Sequence, residues 1–453
     1  MIFPDGFIDS IKCCDGFDES NFVEGHNLPA EISVRINPLK KTDQFNTSEK
    51  VLWCDDAYYL KEKPQFIFDP LLHAGCYYVQ EASSMFLHHA IKSTVDLSGK
   101  VTALDLCAAP GGKSTLVSSL LNDKSLLVSN EVIRSRANIL LENVIKWNPH
   151  NTVVTNNDPE HFKRTESFFD LMVVDAPCSG SGLFRKDANA MKEWNLGNVE
   201  MCASRQKRIL ADSIGSLKTG GTLFYSTCSF SEAENEEMLD WLCENFEMET
   251  LKIETKPEWK IVETQSKDHS AFGYRFYPGK ARGEGFFIGA LRKKSEDGRS
   301  KMKQGKRIEK PTVAEIALLK ENLEHSDQFG FGKYGKEIFL YNKEFENEIS
   351  FLRENLNVMS FGTSAGEIMR EELIPSHALA LSGFLNSSVE KVNVDLETAI
   401  KFLRRDEIKI PSIDKGWKII CYEGRDLGWI KSLGNRVNNY YPKEWRVLKR
   451  YEG

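Results

Sequence analysis

Two cysteines occupy matching positions. Asp175-Ala-Pro-Cys178-Ser-Gly-Ser-Gly182 closes one apolar, strand-like run, and Tyr225-Ser-Thr-Cys228-Ser closes another. A lone cysteine is more often a small buried hydrophobe than a nucleophile. Two of them, ending neighbouring strands beside Asp175, point instead to covalent catalysis. One chemistry asks for two thiols, an acid and a nucleoside-type cofactor. Carbon 5 of cytosine is too poor a nucleophile to take a methyl group directly, but a thiolate added to carbon 6 breaks aromaticity and pushes electron density onto carbon 5. An aspartate hydrogen-bonded to ring nitrogen N3 stabilises that adduct, and a base must then remove the carbon 5 proton so that the thiol can leave. Two thiols can divide those labours, and the pattern alone leaves them interchangeable. A free Cys has a pKa near 8.5 and is only a few per cent thiolate at neutral pH, so the site must lower that value or supply a base.

The cofactor side is written in Asp105 to Ser114, DLCAAPGGKS. After a strand-like run, small residues and two glycines let the backbone approach a ligand at a helix N-terminus. The block is neither GxGxxG nor a phosphate-binding loop of the GxxxxGK[ST] type, which favours a nucleoside ligand without phosphates. Rossmann-type sites place an acid about 20 residues further on to hold ribose hydroxyls, and Glu131 stands 20 residues after Gly111. Asn157-Asp158, after the next strand, is placed either to meet an adenine edge or simply to form a turn.

The elements that must position these groups alternate in type. Short apolar runs are predicted as strands at 101–107, 125–130, 152–155, 169–174 and 222–226. Helical spacing is predicted over 114–121, 134–147, 198–218 and 232–246. Such alternation predicts a parallel sheet with helices on both faces, whose ligands bind at the carboxyl ends of the strands. The pattern turns β-rich and basic over 272–291. Residues 293–311 have almost no large apolar residue and read as a flexible basic linker. Beyond it come helical patterns at 313–324 and 396–404 and a strand-and-turn tail at 417–448.

At roughly 100–200 residues per domain, 453 residues allow two to four domains. The composition, 41% hydrophobic and 28% charged, is that of a folded protein. A net charge of −7 lacks the excess that announces a nucleic-acid binder, but the charge is unevenly spread. Residues 1–31 hold seven acids and one base, 271–310 twelve bases and four acids, and 401–450 thirteen bases and six acids. The ten cysteines include no CxxC pair, so no zinc framework is expected. Neither a leader peptide nor an apolar run of about 18 residues is visible, which predicts reduced thiols in the cytoplasm and no membrane partner.

DLCAAPGGKS, DAPCSGSG and YSTCS, with Ser33 to Lys40 (SVRINPLK), Gly75 to Met85 (GCYYVQEASSM) and Gly283 to Phe287 (GEGFF), closely resemble the NOL1/NOP2/Sun family of RNA cytosine-5 methyltransferases. The resemblance covers residues 33 to about 292. The tail Gly424 to Leu448 resembles the C-terminal RNA-binding region of the bacterial RsmF (YebU) branch, which acts on 16S ribosomal RNA of the small subunit.

The resemblance implies an α/β fold. A Rossmann-like S-adenosylmethionine methyltransferase core (96–295) would follow a small N-terminal α+β subdomain that contacts RNA (1–95). A basic linker (296–312) would precede a C-terminal RNA-binding region ending in a PUA-like fold (313–453). It further implies that Cys228 is the nucleophile and that Cys178 assists product release, with Asp175 near the target base. Around S-adenosyl-L-methionine it places Ala108, Ala109, Pro110, Gly111, Gly112, Lys113, Ser114, Glu131, Arg136, Asp158 and Asp175. No metal is implied. Lys113 and Arg136 alone read equally as helix-surface charges, and Arg185-Lys186 either touch RNA phosphates or are solvated. Trp417, Trp429, Tyr440, Tyr441 and Trp445 either stack bases or form the core of a small β domain. The expected partner is ribosomal RNA or the small subunit, bound by a monomer. The alternatives are a transfer RNA methyltransferase with the same core, a DNA methyltransferase, which would leave one thiol without a role, and a catalytically silent RNA-binding assembly factor.

Overall fold

The computed structural model describes residues 1–294, 305, 308–410 and 414–451. Of the expected linker, residues 296–304 and 306–307 lie outside these.

The core is a twisted sheet whose strands are buried on both faces, as a parallel sheet covered by helices requires. Its elements are β1 (Thr102–Asp105), α1 (Gly112–Leu120), β2 (Leu126–Asn130), α2 (Arg134–Trp147), β3 (Thr152–Thr155), β4 (Phe169–Asp175), α3 (Leu196–Ser213), β5 (Leu217–Thr227), α4 (Glu236–Phe246), β6 (Phe272–Phe276), β7 (Phe286–Lys293) and β8 (Val358–Phe361). The order across the sheet is β6-β7-β5-β4-β1-β2-β3-β8, with Val262–Gln265 outside β6. Strands β1 to β5 run parallel, whereas β6, β7 and β8 pair antiparallel.

Two features depart from the sequence prediction. The helix expected to reach residue 218 stops at Ser213, and β5 begins at Leu217, five residues before its expected start. Gly220-Gly221 resembles a turn ahead of the strand but lies inside it. Between the pairs Phe169↔Leu217 and Leu171↔Thr222 the register of β4 and β5 shifts, so these glycines form a bulge. A Cβ on Gly221 would meet Lys218 O at 2.9 Å and Asp170 O at 3.1 Å. Secondly, β8 joins the catalytic sheet at β3 from about 200 residues away in sequence. Its four residues carry too little pattern to reveal the pairing.

Among the described residues, three smaller four-stranded sheets lie outside the core sheet. The N-terminal one has the order Glu49–Lys50, Ala57–Leu60, Ile32–Ile36, Tyr77–Val79. After the core come a sheet of Phe329–Tyr334, Glu337–Asn342, Thr363–Met369 and Glu372–Pro375, and a last one of Lys391–Asn393, Gly416–Tyr422, Arg425–Ser432 and Val437–Asn439. These modules share apolar interiors. Phe339, Phe345, Ile349 and Leu352 belong to one core with Phe169, Leu210 and Leu223. Val34, Phe45 and Tyr77 of the N-terminal module form another with Phe402, Leu427 and Tyr441 near the C-terminus. Among the described residues no helix is long and apolar enough to cross a membrane.

Candidate active site

The carboxyl ends of β1, β2, β4 and β5 converge on the residues expected to do chemistry. After β1 the chain turns through Ala108, Ala109 and Pro110, with a cis peptide before Pro110, and Gly111 takes a φ of 120° before α1 begins at Gly112. That φ lies where only glycine is comfortable. The turn is fixed from behind. Ala108 N donates to Asn130 O (2.8 Å), Arg136 Nη2 to Ala109 O (2.9 Å) and Asn143 Nδ2 to Pro110 O (2.8 Å). Arg136 also lies 3.5 Å from the buried carboxylate of Glu131 at the end of β2. Glu131 Oε1 accepts from Ile133 N at 2.9 Å.

Beneath the turn, Asp105 is fully buried. Its Oδ2 accepts from Ser114 Oγ (2.7 Å), while Oδ1 has no partner among the described residues. Burial pushes this carboxyl up to about 7, although the Ser114 hydrogen bond and the Lys113 charge act in the opposite direction. Burial likewise pushes the Cys107 thiol up, so that side chain lines the turn in its neutral form.

Lys113 is no surface charge. It is 13% exposed, pairs with Asp175 Oδ2 at 2.8 Å and lies 5.3 Å from the Phe286 ring. Burial disfavours its charge, but Asp175 outweighs that and holds it above the ordinary lysine value. Ser226 Oγ donates to the other oxygen of Asp175 at 2.8 Å. The side chain of Asp175, 36% exposed, is thus oriented from two sides and still open to a ligand.

Cys178 Sγ and Cys228 Sγ lie 3.0 Å apart, in hydrogen-bond contact and as free thiols. The hydrogen bond to Cys228 and burial hold the Cys178 thiol well above its ordinary value. Gly182 brings the two loops together: its N donates to Cys228 O at 2.7 Å, and a Cβ there would meet Cys228 O at 2.8 Å and Gly285 O at 2.4 Å. The Gly283 to Phe287 block therefore belongs to the same cluster.

Two residues not singled out by the sequence stand close to these loops. Glu234 is wholly buried and accepts hydrogen bonds from Ser179 and Ser229. Arg35, 2% exposed, crosses from the N-terminal sheet to donate to Thr115 Oγ1 (2.6 Å) and Gly112 O (3.2 Å), with its guanidinium 4.4 Å from the centroid of the Trp147 ring. The available signals were an acid every second residue after the second cysteine motif and an arginine between apolar neighbours in SVRINPLK.

Other predicted residues have different places. Arg185 is neither solvated nor free for phosphate. Its side chain is 6% exposed, pairs with Glu284 at 2.9 Å and donates to Gly25 O and Gly283 O, so it clamps the N-terminus to the core. Lys186 is more open, 3.8 Å from the same Glu284. Asp158 caps the turn at 159–165 through Glu160 N, and Arg208 lies 3.9 Å from it. Asn157 is spent on the backbone of Asn357, joining β3 to the segment before β8. Trp429 and Tyr441 are core residues, whereas Tyr440 is 38% exposed and packs edge-on against Trp417.

Part of the basic excess over 271–294 is consumed internally. Arg275 pairs with Glu236, and Arg282 with Glu31 and Glu49 of the acidic N-terminal region. Lys280 donates to Gly16 O. In the tail, by contrast, Lys409, Lys415, Arg436, Lys443, Arg446 and Arg450 are exposed.

A family profile described as 16S rRNA methyltransferase RsmB/F matches residues 93–292. Profiles described as the N-terminal domain of 16S rRNA methyltransferase RsmF and the methyltransferase RsmF PUA domain match 3–82 and 389–447. The ribosomal RNA small subunit methyltransferase F of Shewanella woodyi is 30% identical over 94% of this chain and 92% of its own length. The chain belongs to the RsmF family of methyltransferases. That of Erwinia tasmaniensis is 27% identical over 98% of this chain and 97% of its own. Among solved structures, a methyltransferase homologue from Pyrococcus horikoshii superposes with a TM-score of 0.54 at 26% identity, covering 63% of this chain and 94% of that one. NSun6 from the same organism shares the fold at 19% identity and a TM-score of 0.54, over 65% and 99%. The architecture is accordingly a Rossmann-like methyltransferase core between an RsmF N-terminal domain and a PUA domain. The RsmF family depends on S-adenosylmethionine, and the turn fits it: Gly111 opens the backbone, and Asp105 Oδ1 is a buried acceptor with no partner among the described residues.

Proposed function

We propose that the protein transfers a methyl group to carbon 5 of a cytosine in 16S ribosomal RNA, through a covalent adduct between Cys228 and carbon 6. The observation that carries this reading is the pair of free thiols 3.0 Å apart, ending adjacent strands next to an aspartate held by Lys113 and Ser226. An RNA-binding fold or an ordinary methyltransferase needs no such pair. Residues 108–114, with Glu131, Arg136 and Asp158, hold S-adenosylmethionine, which supplies an electrophilic methyl group when bound.

Cys178 keeps its proton because burial and its hydrogen bond to Cys228 oppose ionisation. Cys228, in contact with that sulfur, is the attacking sulfur of the pair. The Cys228 thiolate adds to carbon 6 of a cytosine unstacked into the cleft, and electron density moves to carbon 5. N3 takes up a proton as the adduct forms, and its N–H donates to the Asp175 carboxylate, which stabilises the adduct. Once carbon 5 carries its methyl group, its proton passes to solvent, the electron pair of that C–H bond expels the Cys228 thiolate as aromaticity returns, and Cys178 assists release by donating its S–H to the departing thiolate.

The small-subunit assignment rests on the names of the relatives and on the match of residues 389–447 to the RsmF PUA domain. The exposed bases of the tail supply phosphate contacts, and the protein works as a monomer in the cytoplasm, where its ten thiols stay reduced. Bisulfite mapping of ribosomal and transfer RNA, incubated with enzyme and labelled S-adenosylmethionine, tests the reading. One protected cytosine in 16S RNA is expected; methylation of transfer RNA alone would overturn the substrate, and no methylated cytosine would overturn the reaction.

A further inference from the structure

We propose that Glu234 is a positioning residue that sets the separation of the two thiols, because one buried carboxylate anchors the loops that carry both of them. Its Oε2 accepts from Ser179 Oγ and Ser229 Oγ, each at 2.5 Å, and its Oε1 from Ser179 N at 2.8 Å and Gln206 Nε2 at 3.2 Å. Ser179 follows Cys178 and Ser229 follows Cys228. The residue after each thiol therefore hangs on the same side chain, and the two serine hydroxyls are 3.2 Å apart.

The network closes around Cys178 from the other side as well. Gln206, on α3, donates to Pro177 O at 3.0 Å, so both neighbours of Cys178 are tied to it. The Tyr225 hydroxyl lies 2.9 Å from Gln206 Oε1 and 2.6 Å from Glu234 O. Asn235 extends the grip on the second loop, accepting from Thr227 Oγ1 at 2.6 Å and donating to Ser229 O at 2.8 Å. Cys228 thus lies between two anchored neighbours.

A carboxylate meets this geometry with both of its oxygens. All the groups that face it are donors, and a buried donor left unpaired is destabilising. A glutamine would offer one oxygen and turn an NH2 toward the rest. With that oxygen facing Ser179 N and Gln206, both serine hydroxyls must turn to accept from the NH2, and the grip on the two loops loosens. Burial raises the Glu234 carboxyl, and the serine hydrogen bonds oppose that rise. An acid bonded to the residue after each thiol holds the loops together where an apolar residue would leave Ser179 N without this partner and one Gln206 N–H unpaired.

The kinetic arm of the test rests on the two-thiol reading above; the cross-linking arm does not. Wild type, Glu234→Gln and the double variant Ser179→Ala/Ser229→Ala are treated with diamide, and the Cys178–Cys228 disulfide is followed by peptide mass spectrometry. Both variants should form that disulfide roughly ten-fold more slowly, and kcat should fall while KM for S-adenosylmethionine stays within about two-fold. The double variant leaves the acid in place and serves if Glu234→Gln does not fold. Cross-linking at the wild-type rate in a folded variant overturns the inference, whatever turnover does. Slowed cross-linking with undiminished methyl transfer supports the positioning role and overturns the two-thiol mechanism.

Discussion

At the thiol pair, the two sulfurs are equivalent in sequence context and unequal in surroundings. The hydrogen bond to Cys228 and the burial of Cys178 keep the Cys178 proton in place. Cys228→Ala should therefore abolish methyl transfer, whereas Cys178→Ala should still form the adduct and release product slowly, accumulating a covalent enzyme–RNA species on a denaturing gel. Full turnover by Cys228→Ala would contradict the first expectation, and absence of that species the second. Asp105 makes a separate prediction. Its folded carboxyl sits at about 7, against 3.8 for an unburied aspartate. Between those values the folded protein keeps a proton that the unfolded chain has lost. The contribution of Asp105 to stability is thus full below the ordinary carboxylate value and is lost as pH rises toward about 7, at up to about 1.4 kcal/mol per pH unit. Denaturant titrations should show a flatter pH dependence across that window for Asp105→Asn, and an unchanged slope would refute the assignment. Cys178, Cys228, Asp175 and the turn at 108–114 were legible because they lie in contiguous motifs at strand ends. Glu234 and Arg35 were not, because their meaning lies in contacts between segments far apart in the chain, and Arg185 was misread because a charged pair beside a site motif looks the same whether exposed or buried.

At the level of elements, the chain writes its parallel strands plainly. A strand buried on both faces reads as a continuous apolar run, so β2, β3 and β4 and the helix α2 fall within a residue or so of their predicted bounds. What escaped were features imposed by partners: the Gly220-Gly221 bulge dictated by pairing with β4, and β8 recruited from another module. Arg35 illustrates the same dependence energetically. It carries a buried charge, lowered by burial to about 10, and satisfies carbonyls and a hydroxyl in the first turn of α1. Arg35→Met should destabilise the fold by about 3 kcal/mol and weaken S-adenosylmethionine binding more than it lowers turnover, since Gly112 O belongs to the turn proposed to hold the cofactor. Calorimetric titration with equilibrium unfolding checks both, and unchanged affinity would show that the turn needs no support from the N-terminal sheet.

At the scale of the whole molecule, the N-terminal and C-terminal modules meet. Val34, Phe45 and Tyr77 pack with Phe402, Leu427 and Tyr441 in one interior, and Tyr441 OH lies 3.2 Å from His73 Nδ1. Phe402→Ala should cost about 3–5 kcal/mol and increase hydrogen exchange in 32–79 as well as in 391–439; an increase confined to the tail would mean the modules are independent. The net charge of −7 concealed this organisation. Bases over 271–294 neutralise internal acids, and the tail keeps exposed ones, so RNA affinity should fall steeply with salt, and removing tail bases should reduce that slope. The central claim is that Cys228 attacks carbon 6 so that carbon 5 can be methylated, and a 16S ribosomal RNA carrying 5-fluorocytosine tests it most directly. Fluorine replaces the proton that must leave, so the adduct cannot resolve. Incubation with enzyme and S-adenosylmethionine should yield a stable complex whose cross-linked peptide contains Cys228 bound to a methylated fluorocytosine. Attachment at Cys178, or no covalent complex from an enzyme that methylates unmodified 16S RNA, would contradict it.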